Sequence, residues 1–297
     1  MTVSRLLNEA VQRLKKAQIE DPALEAGLLL SWALKRPRAY IYAHPEMQVD
    51  PVEVRRIMEL VERRSLGEPF QYITGECEFM SLTFKVNPSV LIPRSDTELL
   101  AEAALFSLGC QTPFVSHDLF RVPKQGVRRV LDVGTGSGCL AVTIARYARD
   151  VRVDALDISE KALETARQNA ELNGVSSFIH FIRADFLKDA GFAEQPYDLI
   201  VSNPPYISRE DRTGLMASVE KFEPELALFA DDGGLSFYRR LAHLSSGLLA
   251  ENGVVLVECG FNQSQSVADI FKERGMEILV LKDLAGIGRV VAARCRV

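Results

Sequence analysis

From Arg128 to Arg294, short apolar runs alternate with segments of helical period, and this alternation limits the possible folds more than any other feature of the chain. Strand candidates are Arg129–Val133, Val151–Leu156, Ile179–Arg183, Leu199–Ser202, Val254–Glu258, Glu277–Leu281 and Arg289–Arg294. Between them, Cys139–Tyr147, Glu160–Leu172, Leu235–Leu249 and Gln263–Glu273 repeat apolar residues at helical spacing. Val254-Val255-Leu256-Val257 is apolar at every position, so both its faces must be covered. Strands of that kind belong to parallel sheets with helices on both sides. The expected fold is therefore α/β, with a doubly wound, mostly parallel sheet. Only Lys282–Gly288 separates the last two strands, which are expected to be antiparallel neighbours.

The first 70 residues read differently. Leu6, Leu7, Ala10, Val11 and Leu14 share one helical face. Asp21-Pro22 and Asp50-Pro51 each put a capping acceptor before a proline at the first helical position. A chain of 297 residues has room for two domains at roughly 100–200 residues each. The expected division is a small N-terminal helical bundle over 1–70, a linking β-hairpin within 71–92 and the α/β domain over 93–297. Phe79, Leu82, Phe84 and Val86 carry the hairpin pattern. Ser95 followed by Glu98 forms a capping-box pattern, predicting a helix start near Arg94. Residues 109–127, with Gly109, Pro113, Pro123 and Gly126, read as a long surface loop.

Lys plus Arg total 35 and Asp plus Glu 40, a net charge of −5. That balance argues against a protein holding duplex nucleic acid by bulk electrostatics. No apolar run reaches the roughly 18–20 residues of a membrane span, and Met1–Ala10 lacks a signal-type apolar core. Cys77, Cys110, Cys139, Cys259 and Cys295 are scattered without a C-x-x-C pair and read as free thiols of a reducing cytoplasm. The histidines His44, His117, His180 and His243 are equally dispersed, so no metal site is expected.

Leu131-Asp132-Val133-Gly134-Thr135-Gly136-Ser137-Gly138 closes the first strand and enters a helix. Its glycines permit a tight turn and a close backbone approach to a ligand, and the helix start offers unpaired N–H groups. The second strand ends at Asp157, about 20 residues on, where an acid can hold ribose hydroxyls. The third ends at Ala184-Asp185-Phe186, a polar and an aromatic residue able to hold an adenine. Ligands of such sheets bind outside the carboxyl ends of the strands, where these positions converge. Singly, Asp157 can also be read as the helix cap of Glu160–Leu172, and Asp185 and Phe186 as surface residues; the three together are hard to explain as packing. The order of glycine loop, acid and acid-plus-aromatic resembles class I S-adenosylmethionine-dependent methyltransferases. That resemblance implies a seven-stranded sheet with the last strand antiparallel.

The fourth strand ends in Ser202-Asn203-Pro204-Pro205-Tyr206. Proline fixes φ and supplies no donor, so the Pro204 carbonyl stands in a stiff frame. The Asn203 amide oxygen is a second acceptor. Together they can take both hydrogens of a planar NH2 group, with Tyr206 against its plane. Such a nitrogen is a poor nucleophile because its lone pair is delocalised. Acceptors that strengthen as it gains positive character favour the transition state over the ground state. The tetrad fits amino groups of adenine, of guanine and of glutamine side chains.

The substrate is indicated by blocks outside the tetrad. Gly67-Glu68-Pro69-Phe70-Gln71-Tyr72-Ile73-Thr74-Gly75, Glu78-Phe79, Leu91-Ile92-Pro93-Arg94-Ser95-Asp96-Thr97-Glu98, Phe222-Glu223-Pro224 and Asp283-Leu284-Ala285-Gly286 before Arg289-Val290 resemble the bacterial release factor glutamine methyltransferase family. The resemblance covers nearly the whole chain. It implies N5 methylation of the glutamine in the GGQ loop of peptide chain release factors, with S-adenosylmethionine as cofactor. It further implies that Gly134, Thr135, Gly136, Ser137, Gly138, Asp157, Asp185 and Phe186 contact the cofactor, with Asn203 shared between cofactor and substrate. Asn203 and the Pro204 carbonyl would bind the substrate amide, Pro205 and Tyr206 would shape its pocket, and Arg94, Thr97 and Glu98 would lie near the entry. The expected protein is a cytoplasmic monomer whose helical bundle docks a protein partner, with no direct contact to nucleic acid or membrane. A sister family acting on a glutamine of a ribosomal protein shares the loop and tetrad, and nucleic-acid amino methyltransferases are the other alternative.

Overall fold

The structure is a computed structural model describing residues 1–112, 115, 121–123, 126–189, 191–192 and 196–295. Much of the 109–127 loop lies outside the described residues. Two compact units emerge: Met1–Glu76 with Met216–Phe222, and Cys77–Leu215 with Glu223–Val297.

The smaller unit contains α1 (Val3–Lys16), α2 (Pro22–Leu34), α3 (Arg38–Ala43), α4 (Pro51–Ser65) and α5 (Phe70–Thr74). Val3, Leu6, Ala10 and Leu14 of α1 are buried against Leu29 and Leu30 of α2 and Ile57 and Val61 of α4. The Arg64 guanidinium grips Glu25 through Nε and Nη2 at 3.0 and 3.2 Å, joining α4 to α2. Asp50 caps α4 by accepting from Val52 N at 2.8 Å. Asp21 makes no such bond to α2: its backbone is left-handed at φ +48°, whereas a capping side chain needs extended backbone to reach back.

The larger unit opens with a hairpin, β1 (Glu76–Phe79) and β2 (Leu82–Lys85). Met80 and Ser81 both have positive φ, which gives the two-residue turn the twist of its strands. α6 (Ser95–Ser107) follows, starting where the sequence predicted but without the capping box. Ser95 is already helical, and Glu98 Oε1 instead accepts from Met80 N of the hairpin turn at 2.7 Å. Then come β3 (Arg128–Val133), α7 (Cys139–Tyr147), β4 (Val151–Asp157), α8 (Glu160–Leu172), β5 (Ile179–Arg183), β6 (Tyr197–Ser202), the two-residue strands β7 (Ile207–Ser208) and β8 (Phe229–Ala230), α9 (Ser236–Leu248), β9 (Leu249–Glu258), α10 (Ser264–Lys272), β10 (Met276–Lys282) and β11 (Gly288–Cys295).

The sheet has seven strands in the order β10-β11-β9-β6-β3-β4-β5. The pairs from β9 through β5 are parallel, and β11 runs antiparallel to both its neighbours. Alternation along each strand divides the core in two. Val130, Leu199, Val201, Val254 and Leu256 face the layer of α6 and α7, with Phe79 and Phe84 of the hairpin. Leu131, Val133, Ile200, Val255 and Val257 face the layer of α9 and α10. That is why a central run such as Val254–Val257 is apolar at every position. The small β7–β8 ladder was not legible in the sequence, because two residues carry no period. Among the described residues, no helix is long and apolar enough to cross a membrane.

Candidate active site

Val133 pairs with Ser202 across β3 and β6, and Ser202 with Val257 across β6 and β9. Gly134, Asn203 and Glu258 therefore occupy three adjacent strand ends. β3 is also where the strand order reverses, since β4 and β5 lie on one side and β6 on the other. Doubly wound sheets form their ligand crevice outside the carboxyl ends at such a switch point. A cleft of about 440 Å³ lies there, and its lining includes Gly134, Thr135, Gly136, Ser137, Asp157, Asp185, Phe186, Asn203 and Pro205. Arg94 and Thr97 also line it, whereas Gly138, Pro204, Tyr206 and Glu98 are not lining residues.

The glycine loop is held by backbone bonds. Gly134 N and Thr135 N donate to the Leu156 carbonyl at 2.8 and 2.9 Å, tying the loop to the end of β4. Gly138 has φ +80°, and a Cβ there would lie 3.0 Å from Ala166 Cβ, so glycine lets α8 pass close by. Asp157 Oδ2 accepts from Gly136 N and Oδ1 from Ser159 N, both at 2.9 Å. Burial raises the Asp157 pKa, and these backbone donors oppose the shift. The cap of α8 is Ser159, whose hydroxyl accepts from Ala162 N at 3.2 Å. Each Asp157 oxygen keeps a lone pair for a further donor.

Asp185 is paired with Lys188 at 2.9 Å, and the hydrogen bond from Lys188 holds its carboxyl below the ordinary range. Phe186 is buried, its ring stacked on Phe237 with centroids 6.1 Å apart. Arg240 Nε donates to the Phe186 carbonyl at 3.3 Å and fixes this segment.

At the tetrad, Asn203 Nδ2 donates to Thr97 Oγ1 at 3.0 Å. The Tyr206 carbonyl accepts from Gln263 Nε2 at 2.9 Å. Burial pushes the Tyr206 hydroxyl up to about 12. Two glycines back this residue. A Cβ on Gly234 would collide with the Tyr206 carbonyl oxygen, and one on Gly260 would sit 2.9 Å from its ring. The prolines stiffen the segment from within; these glycines let its surroundings close on it from outside.

The sequence motifs assign no role to three buried carboxylates near the cleft, although Asp132 and Glu223 stand within them. Asp132 Oδ2 accepts from Thr135 Oγ1 at 2.7 Å and Ala141 N at 3.2 Å, while Oδ1 has no partner among the described residues. Burial raises Asp132 to about 7. Glu258, at the end of β9, is likewise raised to about 7 by burial. Glu223 forms an ion pair with Arg94, joining two motif blocks 129 residues apart. The available signal for Asp132 and Glu258 was an acid within, or closing, an otherwise apolar strand. A charge is seldom placed there without a partner or a task.

The comparisons agree with this architecture. Residues 5–75 match the family described as PrmC N-terminal domain, and residues 116–233 match the methyltransferase small domain. The release factor glutamine methyltransferase of Moorella thermoacetica is 40% identical over 99% of this chain and 98% of its own length. The bifunctional methyltransferase of Rickettsia bellii is 34% identical over 98% of this chain; the chain spans about half, 54%, of that longer relative. A solved methyltransferase structure from Pyrococcus furiosus superposes with a TM-score of 0.51 at 15% identity, covering 82% of this chain and 99% of that one, and so shares the fold. Identity along nearly the full length of both chains places this protein in the release factor glutamine methyltransferase family.

Proposed function

We propose that this methyltransferase uses S-adenosylmethionine to methylate the side-chain amide nitrogen, N5, of the GGQ glutamine in peptide chain release factors, supporting translation termination in the cytoplasm. The observation that carries the reading is the Val133–Ser202 register, which sets the glycine loop and Asn203 at neighbouring strand ends on one cleft. The bound cofactor supplies a methyl group activated by its sulfonium. Everything else is positioning and electrostatics from the protein.

The cleft's residues fit that cofactor. Asp157, with unused lone pairs on both oxygens, is placed to accept from ribose hydroxyls. Phe186 and Phe237 offer an aromatic wall for the adenine, with Asp185 at its edge. The glycine loop lets backbone approach the ligand without side-chain interference.

Asn203 Oδ1 and the Pro204 carbonyl accept the two hydrogens of the substrate amide. They hold its nitrogen in line for attack, which removes much of the entropic barrier. They also grow stronger as N5 becomes positive, so the gain falls on the transition state. No base is needed before attack, because the proton becomes acidic only once the methyl has moved. The N-terminal helical unit serves to dock the protein substrate, and the net charge of −5 favours a protein over nucleic acid.

One parallel assay tests the reading. Radiolabelled methyl transfer is measured on a release factor, its GGQ glutamine-to-alanine variant, ribosomal protein and RNA. Label is expected only on the intact release factor. Transfer to ribosomal protein or RNA instead, or none to the release factor with cofactor bound, would sink it.

A further inference from the structure

Asn203-Pro204-Pro205-Tyr206 is stiff in its middle and depends on its ends. The φ angles of Pro204 and Pro205 are fixed, and Asn203 and Pro204, each preceding a proline, are confined to extended ψ. The stretch carrying the Pro204 carbonyl therefore moves nearly as one rod. Neither proline has an N–H with which to tie that rod down. The direction of the carbonyl is set by whatever holds the two ends.

The near end is fixed by the sheet. Ser202 pairs with Val133 and Val257, and its hydroxyl donates to the Val133 carbonyl at 2.7 Å. The far end is held by Gln263, in the turn between β9 and α10. Gln263 Nε2 donates to the Tyr206 carbonyl at 2.9 Å, and Oε1 accepts from Gly260 N at 3.0 Å. Gly260 N can only donate and the Tyr206 carbonyl can only accept, so one orientation of the carboxamide satisfies both. The backbone of Gln263 is itself anchored. Its N–H donates to the Gly260 carbonyl at 3.1 Å, and its carbonyl accepts from Val267 N of α10 at 2.9 Å.

The surroundings make room for this contact. Gly234 and Gly260 are both buried. A Cβ on Gly234 would meet Gln263 Nε2 at 2.9 Å, and one on Gly260 would meet Gln263 Oε1 at 2.8 Å. Two separate turns, one before α9 and one after β9, thus forgo a side chain where the carboxamide passes. Gln263 is not among the residues lining the cleft.

We infer that Gln263 is a positioning residue: by holding the Tyr206 carbonyl it fixes the far end of the proline rod and so aims the Pro204 carbonyl at the substrate amide. This role rests on the proposed amide methylation.

Two substitutions of similar length test it. Gln263→Glu keeps the acceptor for Gly260 N, but a carboxyl oxygen then faces the Tyr206 carbonyl. Ionised, that oxygen repels the carbonyl; protonated, its O–H donates as the amide did. Burial and the facing carbonyl both favour the protonated form. Gln263→Met can do neither. Steady-state kcat and KM are measured for wild type and both variants from alkaline to mildly acidic pH. At the alkaline end both variants are expected to lose about tenfold or more in kcat, because small displacements of positioning groups are costly. KM for the cofactor should stay nearly unchanged. Relative to wild type, kcat of Gln263→Glu is expected to recover by about tenfold toward acid pH as the donor returns, while Gln263→Met stays flat. A flat ratio for Gln263→Glu overturns the inference, as does wild-type kcat in Gln263→Met.

A second measurement needs no substrate. The Tm of Gln263→Glu, less that of Gln263→Met, is expected to rise by several degrees over the same fall in pH. A carboxyl protonated in the fold stabilises it at low pH, and this is lost as pH rises through its folded pKa. A constant difference overturns the inference. Should the wild-type enzyme transfer no methyl to a release factor, the functional reading falls, and the melting comparison then decides whether Gln263 anchors Tyr206.

Discussion

Asn169 Nδ2 donates to the Ser137 carbonyl at 2.8 Å, so a fully buried amide on α8 holds the glycine loop after β3. The same nitrogen reaches the Lys85 carbonyl at 3.0 Å, and Oδ1 accepts from Lys85 N at 2.6 Å. One side chain thus pairs the hairpin's last strand with the loop beneath the cleft. Asn169→Ala would leave these backbone groups unpaired in a dry environment. The expected cost is about 2–4 kcal/mol of stability, read as a lower urea midpoint, together with weaker binding of S-adenosylhomocysteine by calorimetry. A variant that keeps wild-type stability and affinity would show that the loop holds its shape without this bond.

Gly234 should tolerate no side chain. Its φ is +85°, and a Cβ would meet the Tyr206 carbonyl carbon at 2.9 Å, closer than real contacts allow. In Gly234→Ala the backbone at Tyr206 must move, and with it the frame that aims Asn203 and Pro204. Turnover is expected to fall by about 10²-fold, because small displacements of positioning groups are costly. Cofactor affinity should change little, since Gly234 is not part of the cleft lining. Gly174→Ala is the control: φ is also positive, but nothing lies within 4 Å. It should lose some stability and keep its kcat.

Asp132 ties stability to pH. Burial raises its carboxyl from 3.8 to about 7. The folded state therefore holds a proton that the unfolded chain releases more readily. The stabilisation is fully present below 3.8 and is lost as pH rises through about 7. Asp132→Asn removes this dependence. Calorimetry should find the variant gaining on wild type in Tm between pH 5 and pH 8, by several degrees. A pH-independent difference would mean that another group carries the slope, Glu258 being the first to examine, as it is also raised to about 7.

Asn203→Ala separates chemistry from cofactor binding. The variant loses the acceptor for the substrate amide and leaves the Thr97 hydroxyl without its donor. Turnover is expected to drop by about 10²–10³-fold, the usual worth of one preorganised polar group. Binding of S-adenosylhomocysteine should fall much less. Equal losses in both would make Asn203 chiefly a cofactor ligand.

The local chemistry of this protein was legible in its sequence. Runs apolar on both faces required a covered parallel sheet, and the observed strands fall on those runs because each strand serves both halves of the core. The glycines after Val133 announced left-handed backbone, and Asn203-Pro204-Pro205-Tyr206 announced a stiff acceptor frame. The order of the strands was a different matter. Nothing in the residues of β9 says that it lies beside β6, and hence that Glu258 stands next to Asn203. The same holds for Arg94 and Glu223, for Asn169 and Ser137, and for Glu98, whose local pattern promised a helix cap and whose carboxylate serves the hairpin instead. Sequence patterns report preferences within a few residues. A buried polar group must find a partner wherever packing sets one, at any distance along the chain, and only the tertiary structure decides which partner that is.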